Sequence, residues 1–105
     1  MGAIMHNKSI EQLIELNEFK KLLKQYPELE PYYSISYRKD ATVCLQQSKN
    51  MWVVSFLERG VFDFSEEYVE FNDAKKAFLM HILSCIKSEN GFDKVQIILE
   101  GMIAV

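Results

Sequence analysis

The chain has 105 residues, of which 49% are hydrophobic and 12% aromatic, with a formal net charge of −3. That length predicts one domain spanning 1–105, and the apolar content is enough for a core without disulfide staples or disorder. The acidic balance argues against a nucleic-acid partner, because phosphate neutralisation needs clustered Lys and Arg.

The first eight residues, Met-Gly-Ala-Ile-Met-His-Asn-Lys, lack the basic start and apolar run of a signal peptide. The position-6 His does not fit an acylation motif. They read as a loose arm, 1–8. Apolar runs are far shorter than the ~18 residues of a spanning helix. The expectation is a cytoplasmic protein with no membrane partner.

Ser9, with Gln12 three residues on, fits a capping box for a helix running to about Gln25. Leu13, Leu16, Phe19 and Leu23 give its apolar stripe, and Lys20, Lys21 and Lys24 suit its negative end. Pro27 ends it, and Glu28–Pro31 reads as a linker.

Three strands are expected next. Tyr33, Ile35 and Tyr37 alternate with Ser34 and Ser36, and Val43 and Leu45 alternate with Thr42, Cys44 and Gln46. Met51–Leu57 places Trp52, Val54 and Phe56 on one face and Val53, Ser55 and Leu57 on the other. The connections Arg38-Lys39-Asp40 and Ser48-Lys49-Asn50 are short and polar, which favours an antiparallel meander.

Glu58-Arg59-Gly60 supplies a turn, after which Val61–Phe71 reads as one bent strand or two short ones pairing back on Trp52–Leu57. Asn72-Asp73 caps a second helix, from Ala74 to about Ser88, with Asn90-Gly91 as its C-terminal cap. Its apolar stripe, Ala74, Ala77, Phe78, His81, Ile82 and Cys85, is wide enough to lie across the sheet. The tail, Val95–Val105, is apolar and long enough for one more strand, which closes the sheet edge or pairs with a second copy as a homodimer. The fold class is therefore α+β, with a four- to five-stranded sheet. Trp52, Val54, Phe56, Phe62, Phe64, Phe78 and Ile82 form its expected core, each stabilising by ~1.5–3 kcal/mol when fully buried.

Chemistry-bearing groups are sparse. Cys44 and Cys85 belong to no C-x-x-C pattern and read as reduced, buried thiols. His81 lies on the apolar stripe, where a core histidine with one hydrogen bond is the expected role; the other histidine is in the N-terminal arm, so no metal-ligand set is apparent. Gly60, Gly91 and Gly101 are too scattered for a phosphate loop. No catalytic residue, metal or cofactor is assigned.

The distinctive feature is regional charge. Glu58–Asp73 holds six acidic residues against one Arg, a net −5 over sixteen positions. Such a run is either the solvated face of an edge strand or a patch that steers a basic partner. On the second reading Glu66, Glu67, Tyr68 and Glu70 make the contact, with Glu58, Arg59 and Asp63 beside them; Glu70 is expected to point outward with Tyr68.

The spacing Trp52-x-Val54-x-x-x-Glu58-Arg59-Gly60, then an aromatic-rich strand, Phe71-x-Asp73-Ala74 and an amphipathic helix, resembles the small α+β immunity proteins of bacterial polymorphic or contact-dependent toxin systems. The likeness covers about residues 33–88 and leaves Asp93–Val105 outside the pattern. It implies a non-enzymatic antitoxin that binds its cognate toxin and blocks the active site or substrate surface. The alternative is a homo-oligomeric structural or adaptor domain that uses the apolar tail as its interface.

Overall fold

A computed structural model of the chain describes residues 2–88 and 93–104, with side chains over 10–86 and 95–104. Helix α1 (Gly2–Lys24) leads through a 3₁₀ turn (Pro27–Tyr32) into strands β1 (Tyr33–Ile35), β2 (Thr42–Ser48), β3 (Met51–Glu58) and β4 (Val61–Tyr68), followed by helices α2 (Phe71–Ser88) and α3 (Asp93–Ala104). The strands form one sheet in sequence order, so β1 and β4 are its edges. The α+β class is as expected.

Every second strand residue faces the helices. Val43 and Leu45 on β2 and Trp52 and Val54 on β3 are all 0–1% exposed and pack with Leu16, Phe19 and Leu23 of α1 and Phe78 and Ile82 of α2. Aromatic edges join the layers: Phe19 meets Phe71 and Phe78 at 6.0 and 5.9 Å, and Trp52 meets Phe71 at 4.9 Å. The Trp52 indole N–H also donates to Gln12 Oε1, tying α1 to β3.

Several elements differ from the sequence reading. Helix α1 continues through residues 2–8, so Ser9 lies inside it rather than capping it, and Leu13 is 45% exposed, outside the buried stripe. The sheet is mixed rather than an antiparallel meander: β2–β3 and β3–β4 are antiparallel, but β1 runs parallel to β2, with Tyr33 opposite Val43 and Ile35 opposite Leu45. Parallel neighbours ordinarily need a crossover of about a dozen residues. Here β1 has only three residues, so the return is ~10 Å, well within reach of the short 36–41 connection. Ser36 (φ 69°) ends β1 before Tyr37 can join it, and Ala41 (φ 60°) turns the chain into β2.

Helix α2 begins at Phe71 rather than Ala74, because the Glu70 carbonyl already accepts the Ala74 N–H at 3.2 Å. Glu70 is thus the capping position, and Asn72 and Asp73 lie in the first turn. The proposed cap at Asn90-Gly91 lies outside the described residues. The tail forms α3 instead of a strand: Val95 and Leu99, one turn apart, are 3% and 0% exposed, which is a helical period.

A bulge also redirects one aromatic. Phe56 pairs with Phe64 but Leu57 pairs with Phe62, leaving Asp63 as the extra residue. Phe64 therefore faces the helices, while Phe62 turns to the opposite face and is 38% exposed rather than core.

Candidate partner-binding surface

The acidic run is divided by the fold into three environments. Glu58, Arg59 and Gly60 form the β3–β4 hairpin end. Arg59 (φ 53°) and Gly60 (φ 78°) both adopt the left-handed conformation that a two-residue hairpin turn requires. Glu58 and Arg59 are exposed there.

Strand β4 carries the next group. Among the described residues it pairs with β3 alone, and it contains no Lys or Arg. Asp63, at the bulge, and Glu67 are exposed. Glu67 is opposite Val53 and so lies on the face turned away from the helices.

Glu66 and Tyr68 face the helices instead. The Tyr68 hydroxyl donates to Glu66 Oε1 at 2.9 Å, and His81 Nε2 lies 3.0 Å from the same oxygen. An ionised carboxylate only accepts, so this geometry requires the proton on Nε2. The His81 ring stacks on Phe64, with centroids 4.1 Å apart at 30°. The hydrogen bond from His81 is the main cause holding the Glu66 carboxyl below its ordinary value, against the opposing effect of burial, with Tyr68 adding to the lowering. Tyr68 is raised, first by burial and then by the Glu66 bond. The arrangement straps the edge strand to α2. His81 has the hydrogen bond expected of it, but its side chain is 31% exposed rather than buried.

The last group sits at the start of α2. Glu70 and Asp73 lie beside the positive helix end, where carboxylates are favoured. Glu70 is exposed, as expected, but it lies beyond the end of β4, and Tyr68 is half-buried against the core rather than pointing outward with it. Of the seven residues singled out from sequence, the structure brings Asp63 and Glu67 together on the open strand with Glu58 and Arg59 at its hairpin end. Glu66, Tyr68 and Glu70 have structural positions of their own.

Among the described residues, no group of three or more His, Cys, Asp or Glu side chains is arranged to hold a metal, and no helix is long and apolar enough to cross a membrane. Neither cysteine is in a disulfide; Cys44 is buried and Cys85 half-buried. Sequence reasoning missed Arg38, whose guanidinium lies over the Phe62 ring at 4.9 Å from its centroid; only the bulge that turns Phe62 outward makes that pairing. No family model, curated protein or solved structure matches the chain.

Proposed function

We propose that the chain is a small immunity protein that acts without catalysis, binding a cognate, basic toxin domain in the cytoplasm and neutralising it by direct contact. The observation that carries this reading is the edge strand β4, open on one side, free of Lys and Arg and bearing the exposed carboxylates of Asp63 and Glu67. Edge strands invite partners unless they are blunted, and clustered like charge selects a partner of opposite sign. Glu58 flanks the same edge, and the resemblance of residues 33–88 to immunity proteins points to the same role.

This reading expects a large reading frame ending in a short variable domain immediately upstream, and co-expression with that domain is the test. Restored growth and a purified one-to-one complex support the reading. Continued growth arrest with soluble, folded protein and no complex opposes it.

A second reading, self-association through the tail, rests on Ile97, 68% exposed on α3. It lies beside a groove lined by Leu22, Ile98 and Met102. Sedimentation of the Ile97→Lys variant tests it: a dimer that dissociates in the variant supports this reading, and a wild-type monomer removes it.

A further inference from the structure

The face of the sheet turned away from the helices carries a cleft of about 310 Å³ that the partner reading leaves unused. Ligand clefts span roughly 300–1,000 Å³, so this one suits a small molecule. Its charged end is Arg38, set above Phe62. The β1–β2 connection that holds Arg38 is pinned from three sides. The Asp40 carboxylate accepts the Gly60 N–H at 3.1 Å, Lys39 Nζ donates to the Glu30 carbonyl at 3.0 Å, and the Ala41 N–H donates to the Leu57 carbonyl at 2.7 Å.

The remaining lining is polar and neutral. Ser55 and Ser65 are register partners on β3 and β4, and Gln46 on β2 lies further along. Ser55 is 2% exposed and Ser65 exposed. Arg38 has no ion pair among the described residues, and no carboxylate lines the cleft. A guanidinium held over an aromatic ring with donors free for a ligand, beside serine and glutamine side chains, is suited to an oxyanion.

We propose that this cleft binds a small polar ligand carrying a carboxylate or phosphate group, with the oxyanion on Arg38 and a hydroxylated body on Ser55, Ser65 and Gln46. Glu67 sets the orientation. It lies on the same face, in the strand position after next from Ser65, and repels the anionic end toward Arg38. The inference does not rest on the toxin-binding reading, although Glu67 enters both.

The test is NMR titration of the isotope-labelled full chain with ribose 5-phosphate, glucuronate and, as a neutral control, ribose, at about 0.15 M salt. Saturable shifts at the Gln46, Ser55 and Ser65 amides are expected with at least one anion and not with ribose, and the responding anion distinguishes phosphate from carboxylate. Arg38→Gln should weaken that binding by about tenfold or more, and Phe62→Leu, which removes the ring beneath the guanidinium, should weaken it by a smaller factor. No saturation with either anion by about 10 mM, or equal affinity in Arg38→Gln, overturns the proposal.

Discussion

Glu66 Oε1 and His81 Nε2, fifteen residues apart in sequence, lie 3.0 Å apart and join the edge strand β4 to helix α2. The bond holds the Glu66 carboxyl below its ordinary value of 4.5. A carboxyl depressed in the folded state stabilises the fold above its unfolded pKa, and that contribution is lost as pH falls through the folded value. The wild type should therefore exceed Glu66→Gln in stability near pH 7, with the difference shrinking as pH falls below about 4.5. With the two side chains 31% and 40% exposed, solvent screening keeps the difference under about 1 kcal/mol. Urea midpoints at about pH 7 and about pH 3 measure it; the same gap at both pH values contradicts the linkage.

Trp52 is 1% exposed and gives its indole N–H to Gln12 across forty residues of sequence. Gln12→Leu leaves that N–H without its partner at the α1–sheet junction. The expected loss is about 1 kcal/mol, at the low end for an orphaned donor because the bond is only partly buried. Trp52 is the only tryptophan, so its fluorescence follows unfolding directly. Glu11→Gln, one residue away and exposed, should change the midpoint by no more than about 0.5 kcal/mol equivalent.

Helix α3 is part of the core through Val95 and Leu99. Leu99→Ala should cost about 2–5 kcal/mol, whereas Ile97→Ala on the exposed side should stay within about 0.5 kcal/mol. Removal of residues 93–105 should then abolish the cooperative thermal transition. A well-folded monomer after truncation would instead mark the tail as a detachable interface.

Gly60 has φ 78°, and a Cβ built there meets nothing within 4 Å. The cost of Gly60→Ala is thus the local one of a Cβ crowding its own backbone in the left-handed conformation, about 1–2 kcal/mol, with no clash elsewhere in the fold. A thermal melt showing that loss with unchanged β-sheet circular dichroism supports the hairpin geometry; a neutral substitution contradicts it.

The alternation of Trp52, Val54 and Phe56 and the stripe of Phe78 and Ile82 made the sheet face and α2 legible in sequence, because each follows a single local period. What escaped was set by tertiary contact. Val95 to Leu99 reads equally as a buried strand or a helix, since a short apolar run carries no decisive period. Phe62 looked like core because one inserted residue, Asp63, inverts the alternation before it. The acidic count over Glu58–Asp73 was visible in the chain, but Glu66 meeting His81 and Glu70 starting α2 depend on the fold. The exposed carboxylates on the open strand are therefore Asp63 and Glu67, with Glu58 and Arg59 at the turn and Glu70, also exposed, at the start of α2.

We propose that the open edge of β4 attracts a basic toxin domain. The most direct measurement is the affinity of the wild type and of the double variant Asp63→Lys/Glu67→Lys for the C-terminal domain of the large frame expected immediately upstream, at about 0.05 M and 0.5 M salt. Binding should be at least about tenfold weaker in the variant at low salt, with the gap narrowing at high salt. Equal affinities at both salt concentrations, with both proteins folded to the same urea midpoint, would contradict it.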